Sequence, residues 1–177
     1  VARDEIEAHL VRQRSSAGVE ISEDSFAKII RDNYGLSLPE YKRIFVELPL
    51  LRSKLAAKVD VLANQNVAVA LAAIREGKSF SEIAEASDGE IILETSGGEV
   101  SNMNLDGGRA ERAFEMEVGQ VSESFVSRSG DAFFIVKTIK KDEDKVEYES
   151  LRMPLTVLMN KFLQVKNEGQ VREYIEL

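Results

Sequence analysis

Cysteine is absent from the 177 residues of this chain. This absence excludes disulfides, thiolate chemistry and thiolate metal sites, and it is compatible with an oxidising compartment. Histidine occurs once, as His9, so the chain alone cannot supply a histidine-dependent triad or a metal site with several imidazoles. Because cysteine is absent and histidine occurs once, we predict no metal site in this chain. No apolar run approaches the roughly 20 residues that a membrane helix needs.

Positive charge is also in the minority, with 23 Lys and Arg residues against 31 Asp and Glu residues and a net charge of −8. This balance argues against nucleic acid or anionic lipid as a partner. The pairs Gly97-Gly98 and Gly107-Gly108 match neither GxGxxG nor GxxxxGK[ST], so we interpret them as turns and predict no cofactor. The acidic runs at 4–7 and 142–144 lack the calcium-loop pattern and are interpreted as solvated surface.

The first 57 residues predict three helices. Apolar residues recur at helical spacing over residues 2–16, and Ser22 and Ser37 are good N-caps for the next two helices. Pro39 falls in the first turn of the third helix, where its missing N–H costs nothing. Pro49 lies further along, and we expect it either to kink this helix or to end and restart it.

The remainder of the chain mixes strand and helix patterns. Residues 59–63 predict a strand, and Asn64 to Glu76 predict a helix. The predicted elements that follow are a helix over 79–86, a strand over 90–95, a helix ending near Met116 and a strand over 132–139. The mixed-charge run 140–147 is interpreted as a solvated linker, 148–167 as a final helix and 171–177 as an alternating strand.

The predicted final helix has a wide apolar face with no partner near it in the sequence. The three N-terminal helices have the same problem, and an isolated amphipathic helix is not stable in water. The economical solution is that residues 147–177 pack on residues 1–57. The predicted fold class is therefore α+β, with a discontinuous helical module (1–57 and 147–177) into which a second domain (58–145) is inserted.

Two stretches of the chain resemble known families. The segments "REGKSFSEIAEASD", "GGEV", "AFEMEVGQVSESF" and "SGDAFFIVKTIKK" follow one another in an order that resembles the PpiC-type parvulins, or rotamases, a family of peptidyl-prolyl cis-trans isomerases. Upstream, Ile21-Ser22, Phe26, Gly35-Leu36-Ser37, Tyr41, Leu50-Leu51 and Lys54-Leu55 resemble the N-terminal chaperone segment of the SurA/PpiD/PrsA foldases. The resemblance implies an FKBP-like parvulin domain inserted in a SurA-like module, in a bacterial periplasmic or other extracytoplasmic protein.

The parvulin resemblance also implies a catalytic site, which this chain matches poorly. Parvulins use two histidines and a Cys or Asp, and these positions fall on Asp60, Phe134 and Asp88. The apolar shelf that holds the substrate proline falls on Val100 and near Leu105 and Arg109, and an arginine would spoil such a shelf. Because both histidines are missing, we predict that isomerase activity is lost. The alternative is an active isomerase built on Asp60, Asp88 and Phe134.

The SurA resemblance implies a chaperone whose partners are unfolded or partly folded client polypeptides. The predicted client-binding side chains outside the parvulin unit are Tyr41, Phe45, Leu48, Leu158 and Phe162, which lie on the apolar stripes of the long helices. The alternative is that the same stripes form a permanent interface in a scaffold or assembly subunit, such as a homodimer. A membrane anchor, if the full-length protein has one, is expected upstream of Val1.

Overall fold

The computed structural model describes residues 3–15, 21–101 and 104–168, except for the side chains of Ser15, Phe162 and Lys166. The chain divides into two compact units, Val1–Ser53 and Lys54–Leu177. Helices and a five-stranded antiparallel sheet make the architecture α+β, as predicted.

The first unit is helical. It contains α1 (Arg3–Ser15), α2 (Glu23–Tyr34), α3 (Leu38–Tyr41), a π-helical segment (Lys42–Glu47) and the start of α4 (Leu48–Val59). Ser22 accepts a hydrogen bond from the Ser25 amide, and Ser37 forms a capping box with Glu40. These caps confirm the predicted starts of the second and third helices. The buried side chains of this unit are Leu10, Phe26, Ile30, Tyr41 and Val46.

The π-helical segment explains how Pro49 is accommodated. The Leu48 amide donates to the carbonyl of Arg43, five residues back, instead of four. Pro49, which has no N–H to donate, follows directly after this widened turn. Leu48 keeps helical dihedral angles, so the chain stays helical through Pro49, and the change at this point is one of hydrogen-bond pattern and not the end and restart of a helix.

The second unit contains the five-stranded sheet. Its helices are α5 (Val61–Arg75), α6 (Phe80–Glu85), α7 (Arg109–Phe114) and α8 (Val157–Asn167). Its strands are β1 (Ile92–Thr95), β2 (Val100–Ser101), β3 (Phe125–Val126), β4 (Ala132–Lys141) and β5 (Lys145–Pro154). The strand order is β1-β5-β4-β3, and β2 pairs with the start of β5 beyond the end of β1.

Alternate residues of β4 and β5 face two different cores. Ile135, Leu151 and Met153 pack with α5 and α6, whereas Phe134, Val136 and Tyr148 pack with α7. Because side chains alternate along a strand, these clusters cover opposite faces of the sheet. The central strands β4 and β5 are therefore buried on both sides, and the functional groups discussed below lie on the α7 face.

The strand predicted at residues 59–63 is wrong. Asp60 is the N-cap of α5, and its carboxylate accepts the Ala63 amide at 3.0 Å. The helix runs from Val61 without a break, because no turn residue separates the apolar residues before Asn64 from the Ala-rich run after it. Gly77 follows the helix with a φ of 85°, as expected of a helix stop.

The linker predicted at 140–147 and the first part of the predicted final helix are also wrong. Residues 142–144 form the turn of a hairpin, and Lys145–Pro154 is the strand β5, which pairs with β4 over almost its whole length. Only Val157–Asn167 is helical. Residues 147–154 thus belong to the sheet, while the return of α8 onto the first helices stays a prediction. The predicted strand at 171–177 lies outside the described residues.

Within the described ranges, no single helix is long and apolar enough to cross a membrane. A sharply bent pair, Leu38–Val59 with Val61–Arg75, meets the criteria of length and composition only when the two are taken together.

The Asp131 carboxylate, in the β3–β4 hairpin, makes a pH-dependent contribution to the stability of the second unit. Burial acts to raise the pKa of Asp131, but hydrogen bonds from Ser127, Ser129 and Arg152 outweigh it and hold the pKa at about 2. Because the folded-state pKa lies below the ordinary value of 3.8, the contribution is present above about pH 4 and is lost as the pH falls towards 2.

We expect Asp131→Asn to remove this dependence. After allowance for solvent screening of a half-exposed group, the wild type should lose about 1 kcal/mol more than the variant between pH 5 and pH 2.5. Urea denaturation of both proteins across this range measures the difference. Parallel losses in the two proteins would contradict the assignment.

Candidate functional site

The part of the second unit with the densest polar contacts lies between α7 and the sheet. The Arg109 side chain, on the first turn of α7, forms an ion pair with Glu94 of β1 and donates to the Ser150 hydroxyl of β5 at 3.2 Å. The Ser150 hydroxyl in turn donates to the Glu94 carbonyl at 3.3 Å. Three elements that are distant in sequence therefore meet at one guanidinium.

Asp106 fixes α7 in place beside this guanidinium. Its carboxylate accepts the amides of Gly108, Arg109 and Ala110 at 3.0–3.2 Å, and so caps the helix. The same carboxylate accepts the Tyr148 hydroxyl at 2.6 Å. Burial, together with the negative charge of Asp106, raises the pKa of Tyr148 well above its ordinary value. Tyr148 therefore stays a neutral hydrogen-bond donor at any physiological pH.

The Arg109 guanidinium also covers the aromatic residues below it. Its central carbon lies 4.6 Å from the ring centroid of Phe134 and 5.7 Å from that of Tyr148. Gly107 approaches Phe134 from the adjoining loop, where a Cβ would lie 3.1 Å from the ring. The space above Phe134 is thus filled by protein atoms. We call Glu94, Asp106, Arg109, Tyr148 and Ser150 the polar network.

The side chains of the polar network are poorly placed to act as a general acid, a general base or a nucleophile. Ser150 is fully buried and is hydrogen-bonded to Arg109 and to a carbonyl, with no base next to its hydroxyl. Asp106 is engaged by three amides and a phenol, and Arg109 by a carboxylate. Among the described residues, no group of three or more His, Asp or Glu side chains is placed to hold a metal ion. The arrangement suits cohesion of the fold better than catalysis.

The three positions that the parvulin resemblance assigned to catalysis do not meet. Phe134 lies below Arg109 on the α7 face of the sheet, whereas Asp60 caps α5, which packs on the other face. Asp60 is only 2% exposed, and its carboxylate also accepts the amides of Thr156 and Val157 at the start of α8. Asp88 lies in an exposed turn after α6, with a φ of 52°.

The predicted shelf residues have different surroundings. Val100 lies in β2 and packs, partly buried, against the α7 core. Leu105 is 91% exposed in the loop before α7 and contacts no core cluster among the described residues. Arg109, which the parvulin resemblance places near the shelf, fills the space above Phe134. The described residues therefore contain no apolar shelf joining Val100, Leu105 and Phe134.

The predicted client-binding residues of the first unit are partly accessible. Tyr41 is buried, but Phe45 stacks on it at 5.0 Å and is 44% exposed, and Leu48 is 51% exposed. In the second unit, Leu158 packs against the cluster formed by Ala56, Ala63 and Leu155. The Phe162 side chain lies outside the described residues.

Phe45 and Leu48 belong to a larger exposed set on the first unit. The Tyr34 ring lies 5.7 Å from that of Phe45, and the other members follow at helical spacing along the π-helical segment and α4. We define this apolar surface as Tyr34, Ile44, Phe45, Leu48 and Leu51, all of which are exposed.

Comparison with known proteins does not identify a relative. No family model matches the chain, and no curated protein and no solved structure matches it either.

Most of the polar network was missed at the level of the sequence. Tyr148 and Ser150 were placed in a helix, so their position beside Glu94 could not be foreseen. Asp106 carried a usable signal, because an Asp just before Gly107-Gly108 and a helical pattern is a common helix start.

Proposed function

We propose that this protein is a chaperone that binds unfolded or partly folded polypeptides through the apolar surface of its first unit. The second unit is proposed to be a parvulin-like domain without isomerase activity. In this proposal α8 and the residues after it complete the helical module, so that the parvulin-like domain is an insertion.

The exposed apolar side chains of the first unit carry the proposal. A monomeric protein rarely exposes five neighbouring large apolar or aromatic side chains unless they bind something. The aromatic rings of Tyr34, Tyr41 and Phe45 contact one another, which gives a pre-ordered surface for aliphatic and aromatic client segments. The π-helical segment beneath them is a rare feature that often accompanies functional sites.

The polar network supports the loss of isomerase activity. An isomerase must hold a proline ring in an apolar slot and stabilise a twisted amide against a barrier of about 18–20 kcal/mol. Here a guanidinium paired with Glu94 occupies the space above Phe134, and Asp60 is used as a buried helix cap. Neither group is free to bind or polarise a prolyl amide.

An extracytoplasmic location in a bacterium belongs to the same proposal. It rests on the resemblance to the SurA/PpiD/PrsA foldases, and the absence of cysteine is compatible with it. Binding would need no nucleotide, because the sequence has no phosphate-binding motif.

Suppression of aggregation tests the proposal. The wild-type protein, at equimolar or modest excess over a chemically denatured client, should reduce light scattering after dilution. Phe45→Asp combined with Leu48→Asp should abolish most of the effect, because both side chains are exposed and the substitutions add charge to the apolar surface. Val118→Asp is the control, since Val118 is also an exposed apolar side chain but belongs to the second unit.

Two results would contradict the proposal. One is full protection by the Phe45→Asp, Leu48→Asp variant. The other is a stable wild-type dimer that protects no client, which would favour the alternative that the apolar surface is an assembly interface.

A proline-isomerisation assay on a tetrapeptide should show no acceleration, and a rate that falls with Asp88→Ala would restore the active-isomerase alternative.

A further inference from the structure

A groove on the second unit has no role in the proposed function. It has a volume of about 400 Å³, which is within the usual range for ligand clefts. One wall is the end of α7, with Arg112, Glu115 and Met116, and the other is the segment Gln120–Ser124 that leads into β3. The groove is lined by groups separate from the polar network.

The second wall of the groove lies at the β3 edge of the sheet, which Val121 joins through an isolated bridge to Lys137. The Ser122 amide donates to Val136, and the Thr138 amide donates to Gln120, so Val121 and Lys137 form the non-hydrogen-bonded pair of an antiparallel ladder. In such a pair the N–H and C=O of each residue point away from the other strand. The Val121 backbone therefore points outward from β4.

Several backbone amides of this segment are unused. Among the described residues, no hydrogen bond satisfies the amides of Val121, Glu123 or Ser124. Ser122 is held on the inner side, where its hydroxyl accepts the Val136 amide at 2.9 Å. An extended peptide can pair with free backbone donors beside a groove at a sheet edge and so add as a further strand.

The charges around the groove favour a basic occupant. Arg112 is already paired with Glu115 at 3.0 Å, and its guanidinium lies 5.4 Å from the Phe125 ring centroid. Glu123 is exposed and has no ion-pair partner among the described residues. One negative charge is left uncompensated at the rim, and Met116 supplies a buried apolar floor.

We propose that this groove binds an extended polypeptide segment with a basic side chain, which pairs with the backbone of Val121–Ser124 and places its cation beside Glu123. The site is independent of the apolar surface of the first unit. Strand addition supplies affinity that tolerates different sequences, and Glu123 supplies the preference for lysine or arginine.

Fluorescence anisotropy with the full chain tests this site. The probe is a labelled eight-residue peptide of alternating valine and lysine, and the comparison peptide has glutamate in place of lysine. We expect the lysine peptide to bind at least about ten-fold more tightly. Glu123→Lys should weaken its binding by about ten-fold, whereas Glu143→Lys, which makes the same change of net charge in the exposed β4–β5 turn, should have little effect.

A backbone substitution separates strand addition from simple charge attraction. Val121→Pro removes an outward N–H without removing a bond to β4, so it should weaken the lysine peptide by about ten-fold while the unit stays folded. If that variant does not fold, the lysine peptide methylated at alternate backbone nitrogens serves instead with the wild type. Any of three results would overturn the proposal. They are no binding of the lysine peptide, equal binding of the lysine and glutamate peptides, and unchanged binding when either alternate set of peptide nitrogens is methylated.

Discussion

Replacing Asp60 with alanine should lower the free energy of unfolding of the second unit by about 3 kcal/mol. One carboxylate oxygen accepts the Ala63 amide and the other accepts those of Thr156 and Val157, so a single buried side chain caps both α5 and α8. Alanine would leave three N–H groups without an acceptor in a site that water reaches poorly. Urea denaturation measures the loss, and hydrogen exchange should show faster exchange at Thr156 and Val157.

Two variants calibrate this expectation. Asp60→Asn retains one accepting oxygen and should lose about half as much. Asp88→Asn is the matched control, because Asp88 is exposed and asparagine tolerates its positive φ, so the change should stay within about 0.5 kcal/mol. An Asp60→Ala variant that loses less than about 1 kcal/mol, with unchanged exchange at α8, would contradict the double-cap assignment.

Arg109→Ala should also destabilise the second unit, by about 2 kcal/mol. The substitution leaves Glu94 with only a longer ion pair, to Arg152 at 4.0 Å, removes a donor to Ser150 and opens space above Phe134. The expected loss is below that of a fully buried pair because Glu94 is about one-third exposed and can be hydrated. Thermal denaturation measures it, and a shift of several degrees is expected for a unit of this size.

The double variant Arg109→Met with Glu94→Gln tests whether the loss comes from the unpaired charge. Methionine keeps much of the packing over Phe134, and glutamine removes a charge that would otherwise keep only the 4.0 Å ion pair with Arg152, so the double variant should be more stable than Arg109→Ala. If the double variant and Arg109→Ala are equally unstable, packing alone would account for the effect, and the ion pair would be unimportant.

The helices of the first unit could be predicted because their signals are local. Ser22 and Ser37 cap helices whose apolar stripes follow directly, and Gly35 ends one of them in the left-handed region. The β5 strand could not be predicted in the same way. Val146 and Tyr148 alternate as in a strand, but Leu151, Leu155 and Leu158 recur at helical spacing, and only pairing with β4 and β1 decides between them.

The same error hid the candidate site. Once β5 is a central strand, Ser150 and Tyr148 face α7 and meet Arg109 and Asp106. When residues 148–154 are predicted as a helix, the sequence gives no reason to place Tyr148 and Ser150 beside Arg109 and Asp106. Asp60 falls within the strand predicted over residues 59–63, although an Asp followed by an unbroken Ala-rich helical run is a sufficient signal for an N-cap.

Site-specific cross-linking tests most directly whether the first unit binds client polypeptides. A photoreactive phenylalanine analogue at position 45 places the cross-linker on the apolar surface, and the same analogue at position 118 is the control. With a permanently unfolded client in excess, position 45 should give client adducts and position 118 few. Adducts of equal yield at both positions, or adducts at position 45 only with a second copy of this chain, would contradict the account.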